Sequence, residues 1–152
     1  VRSAAGVGCV DGVVAMGSCC DPFGPKALRA AMGAAFRLPI LERLDVDGTG
    51  GGDLEASPTT WAQNKGVLQG LGMTVYAADG AGTMSYTEVD WCKPSALIVG
   101  SEANGLSPEV RADLGRPGGP VPIRIPLYNE IESLNAGVAG SIILAECQRQ
   151  RS

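Results

Sequence analysis

The sequence predicts an α/β fold, a mainly parallel sheet flanked by helices. Two observations carry this. Short apolar runs that read as buried strands alternate along the chain with segments of helical spacing. Glycine and proline, 22 and 10 of 152 residues, punctuate the boundaries between them. The length suits one domain, 1–152, because a single core serves roughly 100–200 residues.

Val13-Val14-Ala15-Met16 reads as a short buried strand. Pro25 to Ala35 reads as a helix with proline in its first turn. Ala27, Leu28, Ala31, Ala34 and Ala35 fall on its packing face. Pro39 ends it, and Ile40 to Leu44 forms a strand. Asp45 to Asp53 is an acidic, glycine-rich loop. Its Asp-x-Asp-Gly start resembles that of a calcium loop, but the later ligands and the closing Glu do not follow, so it reads as an insertion. Ser57-Pro58 supplies an N-cap and N1 proline for a helix through Trp61, Lys65 and Leu68 to Gly70 or Gly72. Thr74 to Ala78 is a strand, followed by the loop Asp79 to Gly82. Ala96 to Val99 is a buried strand, and Ser107-Pro108-Glu109 opens a short helix by the same cap logic. After the turn-rich Gly115 to Pro120, Val121 to Ile125 is a strand that Pro126 ends. The final amphipathic helix runs from about Ser133 to Arg149, with Arg149 and Arg151 at the negative end of its dipole. Trp61, Tyr76 and Trp91 read as core or interface residues.

Composition narrows the chemistry. Hydrophobic residues are 45% and charged residues 18%, a globular balance. No apolar run approaches the ~20 residues that span a bilayer. The net charge of −4 argues against binding duplex nucleic acid by charge alone, while a local basic face stays open. Lys26, Arg29 and Arg37, at roughly helical spacing, are either such a face or a solvated one. The chain has no histidine, which removes Ser-His-Asp, Cys-His and His-metal mechanisms together. Its five cysteines, Cys9, Cys19, Cys20, Cys92 and Cys147, are odd in number and contain no Cys-x-x-Cys, so neither a disulfide framework nor a metal site is indicated. They read as thiols in a reducing compartment. Val1-Arg2-Ser3-Ala4-Ala5 does not resemble a secretion signal, and the chain reads as a piece of a longer one that is not secreted.

Two turns fall where predicted strands end, the ligand-binding edge of a parallel sheet. One is Gly100-Ser101-Glu102-Ala103-Asn104-Gly105-Leu106. The other is Ile125-Pro126-Leu127-Tyr128-Asn129, leading to Glu132-Ser133-Leu134-Asn135. Free backbone N–H groups, the Ser133 hydroxyl and the Asn135 amide converge at this second junction. No Gly-x-Gly-x-x-Gly or Walker pattern is present. On spacing alone, these also fit ordinary strand–loop–helix junctions.

The same residues resemble a known family. Leu97-Ile98-Val99-Gly100-Ser101-Glu102-Ala103-Asn104-Gly105-Leu106-Ser107 is similar to the second motif of the SpoU (TrmH-like) branch of the SPOUT RNA methyltransferases. Ile123-Arg124-Ile125-Pro126-Leu127 through Glu132-Ser133-Leu134-Asn135-Ala136 to Ala139 resembles the third motif. Val1-Arg2-Ser3-Ala4 with Gly12-Val13-Val14 resembles the end of the first, whose opening Asn and preceding strand would lie before Val1. Pro25-Lys26, Arg29 to Ala34 and Leu38-Pro39-Ile40 resemble the stretch between motifs. Asn129 stands where the third motif usually has glycine, and asparagine tolerates a left-handed backbone.

The resemblance implies a SPOUT α/β knot with a C-terminal trefoil, an exception to the rule that chains do not thread loops. It implies S-adenosyl-L-methionine as cofactor, held near Gly100, Gly105, Ile123, Ile125, Ser133 and Leu134, and no metal. It implies 2′-O-ribose methylation of RNA, either rRNA or tRNA. Arg2 would orient the substrate and stabilise the developing alkoxide, since a guanidinium with pKa above ~12 is a poor base. Ser133 and Asn135 would orient the substrate hydroxyl or the cofactor, and Glu102 would buttress its loop through backbone amides. The alternative is a non-catalytic SPOUT-fold subunit that scaffolds an RNA–protein assembly. The resemblance further implies a homodimer with no membrane partner, in bacterial cytoplasm or in a chloroplast or mitochondrion.

Overall fold

The computed structural model describes residues 1–17, 19–42, 59–129, 131 and 133–152. The Asp45 to Asp53 loop, Leu44, the Ser57-Pro58 cap and Glu132 lie outside the described residues. The chain gathers into two compact units, Val1–Asn64 and Lys65–Ser152.

In the first unit, α1 (Arg2–Val7) is a helix that the sequence reading did not expect. Val1 precedes it without a side-chain cap bond, so the usual start signal is missing; its end is conventional, with Gly8 left-handed at φ 68°. β1 (Val13–Val14) and β2 (Ile40–Leu41) pair in parallel, Val13 opposite Ile40. Both strands are shorter than predicted. Met16 continues β1 only as an isolated bridge to Thr59, whose buried hydroxyl donates to the Ala15 carbonyl at 3.0 Å. α2 (Pro25–Ala31) also stops early. Met32 (φ 51°) and Gly33 (φ 76°) are both left-handed, and a 3₁₀ turn follows at Ala34–Phe36. The predicted packing face survives the break: Ala31, Ala34 and Ala35 are buried together with Leu38.

α3 (Trp61–Gly70) starts later than predicted, since Thr59 lies in the bridge to Met16 and Thr60 precedes the helix, and it has a cap the sequence reading overlooked. The Thr60 N–H donates to Gln63 Oε1 at 2.9 Å, and the Gln63 N–H donates to Thr60 Oγ1 at 3.3 Å. This reciprocal capping box places the helix start at Trp61.

The second unit is built on a four-stranded parallel sheet in the order β4-β6-β3-β5. Its strands are β3 (Thr74–Ala78), β4 (Met84–Ser85), β5 (Ser95–Ile98) and β6 (Val121–Arg124). Tyr76 stands opposite Leu97 on one side and Val121 on the other. The two-residue β4 was not predicted; it is too short to show an apolar pattern. Pro122 sits inside β6, where proline is normally excluded. The Arg124 carbonyl, of the same parity, accepts from the Tyr86 N–H on the β4 side. The N–H that Pro122 lacks therefore faces that side, ahead of the first β4 pair, Met84 with Ile123.

Two helices complete this unit. α4 (Pro108–Asp113) has Ser107 as N-cap, its Oγ accepting from the Val110 N–H at 3.3 Å, as predicted. α5 (Ala136–Arg151) starts later than expected, with Asn135 rather than Ser133 before it. Ile123, Ile143 and Val110 are wholly buried; each such side chain stabilises the fold by about 1.5–3 kcal/mol. Trp91 is buried in this core, its ring tilted against that of Tyr76 with centroids 5.2 Å apart, and its indole N–H donates to the Tyr86 carbonyl. No described helix is long and apolar enough to cross a membrane.

Candidate functional site

Two connections leave the C-terminal edge of the sheet, after β5 and after β6. Backbone groups at such an edge point out of the ladder and are free to meet a ligand. The first connection turns at once. Ser101 and Gly105 exchange both backbone hydrogen bonds at 2.9 Å, and the Asn104 N–H donates to Ser101 Oγ at 3.1 Å. Gly105 is left-handed at φ 66°. Gly100 packs against the returning strand of this turn: a Cβ there would stand 2.6 Å from the Gly105 carbonyl oxygen and the Leu106 nitrogen. Arg111 Nε then holds the exit by donating to the Leu106 carbonyl at 3.1 Å.

The second connection passes half-buried Ile125 and reverses at Asn129, left-handed at φ 58°. That is the conformation expected where the motif carries glycine. It ends at exposed Ser133, half-buried Leu134 and Asn135. Gly140 of α5 is buried, where a Cβ would meet the Val99 side chain at 3.4 Å. The glycine thus lets the helix approach the end of β5.

The side chain of Asn135 joins the two connections. Its Oδ1 accepts from the Gly137 and Val138 N–H groups at 2.9 and 3.2 Å, capping α5. Its Nδ2 donates to Glu102 Oε1 at 2.5 Å. Among the described residues, Glu102 is held by the Asn135 amide. The amide serves both ends because its oxygen accepts and its separate NH₂ donates.

The other predicted positions divide. Gly100, Gly105, Ile125, Ser133 and Leu134 all lie on the two connections. Ile123 has no exposed surface, and its carbonyl accepts from the Asp79 N–H at 2.9 Å. Its side chain is packed in the core of the second unit. Arg2 is exposed as the first residue of α1 and belongs to the first unit. Sequence reasoning missed Gly82, in the turn after β3. A Cβ there would stand 2.8 Å from the Ile123 carbonyl carbon, so glycine is needed to pass over β6. The glycine itself was the only available signal.

The family model described as the SpoU rRNA methylase family matches residues 51–145, a range that holds both connections and their bridge. The chain belongs to the SpoU rRNA methylase family. Human mitochondrial rRNA methyltransferase 3 is 31% identical to this SpoU chain over 181 residues, covering 99% of it and 43% of the human protein. The tRNA (guanosine(18)-2′-O)-methyltransferase of Aquifex aeolicus is 44% identical over 69 residues, 45% of this chain and 30% of that enzyme. Among solved structures, the SpoU methyltransferase AviRb of Streptomyces viridochromogenes, in complex with AdoMet, superposes with a TM-score of 0.77 at 26% identity. That match covers 99% of this chain and 53% of AviRb. An AdoMet-bound rRNA methyltransferase from Sinorhizobium meliloti gives 0.75 at 28%, over 97% of this chain and 49% of that one. This SpoU chain thus spans between about a third and a half of the length of these proteins.

Proposed function

We propose that this chain carries the S-adenosyl-L-methionine-dependent 2′-O-ribose methyltransferase activity of an enzyme acting on rRNA or tRNA. The observation that carries the reading is the Asn135–Glu102 hydrogen bond, which draws the two sheet-edge connections together. The relatives and the AdoMet-bound neighbours support it. The residues fit the cofactor. The Gly100 to Leu106 turn is folded too tightly for a side chain at Gly100. Half-buried Ile125 and Leu134 offer apolar surface on the second connection. Backbone polar groups beside small apolar walls suit an adenosine moiety.

When bound, S-adenosylmethionine supplies a methyl carbon already activated on a sulfonium. The work left to the protein is to hold the ribose oxygen in line and to manage its charge. Asn135 and Glu102 act as positioning residues, since the Asn135 amide is committed at both ends. Exposed Ser133 is the hydroxyl available to orient substrate. Arg2 orients the ribose or its phosphate and stabilises negative charge on the attacking oxygen, whose proton passes to solvent. The same reading includes a homodimer, a C-terminal trefoil knot and a bacterial or organellar setting.

Calorimetry with S-adenosylmethionine, followed by transfer of labelled methyl to RNA and nuclease digestion, tests it. Heat of binding and label in 2′-O-methylated nucleosides are expected. A folded chain that takes up no cofactor would instead be a scaffolding subunit. Arg2→Ala is expected to lower kcat by about 100-fold or more and leave cofactor affinity intact; unchanged turnover removes Arg2 from the mechanism.

A further inference from the structure

We propose that the exposed face formed by α2 and the 3₁₀ turn after it is a docking surface for single-stranded RNA. Unpaired bases lie against Phe36 and Met32, and Lys26, Arg29 and Arg37 take the phosphates. The inference rests on the reading of the chain as acting on RNA, and adds a surface built from residues other than the methyl-transfer residues named above.

Charge is the first argument. The whole chain carries −4, yet from Pro22 to Leu41 it holds three cations and no Asp or Glu. Lys26, Arg29 and Arg37 are all exposed. The nearest preceding acid, Asp21, is engaged locally, its Oδ1 accepting from the Phe23 N–H at 2.8 Å. Apolar exposure is the second argument. The chain has two phenylalanines, both in this stretch and neither buried. Phe23 is 39% and Phe36 75% exposed, and their rings pair at 6.0 Å. Met32 is 72% exposed beside them in sequence, on a left-handed backbone at φ 51° that an unbranched side chain rarely adopts. Solvent alone does not favour large apolar side chains held out in this way.

Aromatic and apolar surface interleaved with cations, on a run of sequence without acids, is the chemistry that binds unstacked bases and their backbone. A protein partner attracted by apolar contact alone would not need a run purged of negative charge, and a duplex would offer the rings no base faces.

The test uses the full chain and a short fluorescent oligoadenylate, free and paired with its complement. Preference for the single strand is expected. Phe36→Ala should weaken it by about fivefold or more, and Phe36→Trp should restore it. Lys26→Gln and Arg37→Gln should each lower the slope of log affinity against log salt by about 0.7. Calorimetry on the same variants should show unchanged S-adenosylmethionine binding, which separates the two readings. A chain that binds RNA through this face but takes no cofactor overturns the proposed methyl transfer and leaves the face standing. A chain that takes the cofactor but binds no oligoadenylate, or whose Phe36 and Lys26 variants bind it as the parent does, overturns the face. So does a Phe36→Ala chain that sediments as a smaller species with RNA affinity unchanged, because a second copy would then be the occupant.

Discussion

Asn135 shows how much one amide can settle. Its oxygen caps α5 and its nitrogen holds Glu102, so the two ends can be separated by substitution. Asn135→Ala loses both. The lost cap costs about 1 kcal/mol, which for a chain of this size is a fall in Tm of about 2–4 °C. Asn135→Asp keeps an acceptor for the helix but sets a carboxylate against Glu102. It is expected to melt close to the parent, by circular dichroism, yet to lose cofactor affinity in calorimetry. Equal affinity would mean the bridge does not shape the site. Gly100→Ala should fail differently: the added carbon overlaps the Gly105 backbone, so the turn must open and cofactor binding should fall at least tenfold with the helices intact. Both residues were visible in the sequence as members of a motif. Their division of labour was not, because Ser133 and Asn135 are equally good caps on paper, and only the start of α5 at Ala136 distinguishes them.

Among the elements, the end of α5 is the most heavily tied. Gln150 accepts from the Trp91 N–H and donates to the Val89 carbonyl and to Glu146, while Arg151 Nε donates to the Trp91 carbonyl at 2.6 Å. Trp91 is 3% exposed beneath these bonds. Trp91→Ala is expected to cost about 3–5 kcal/mol, read from urea unfolding, and Trp91→Phe distinctly less. A hydrogen bond from Arg149, then one from Gln150, lowers the Glu146 carboxyl from 4.5 to about 2. A lowered value in the folded chain stabilises above the ordinary carboxylate range and is lost as pH falls toward about 2. Melting followed from about pH 5 downward should therefore drop less steeply for Glu146→Gln than for the parent. A parallel fall would show that the pair is screened by solvent. Where punctuation was clear, as at both ends of β3 and the start of α4, the boundary was legible to the residue. α2 was overextended because alanine favours helix on every count, and the break depends on Met32, which carries no breaking signal. α1 was invisible for want of a cap.

At the scale of the molecule, the parallel sheet could be read from alternating strand and helix, but its strand order could not. Order depends on pairings between residues far apart in the chain, such as Tyr76 with Val121, and no local pattern encodes them. The family resemblance supplied what periodicity lacked: two particular turns to which a cofactor could be assigned as an expectation. The place of β6 between β3 and β4 has a consequence for how the protein is made. Translation delivers both neighbours well before the strand that separates them. Until residues 121–124 clear the ribosome, one flank of β3 stays unpaired and β4 has nothing to join. The nascent chain therefore carries an open, adhesive margin from the emergence of β3 until β6 follows and closes it.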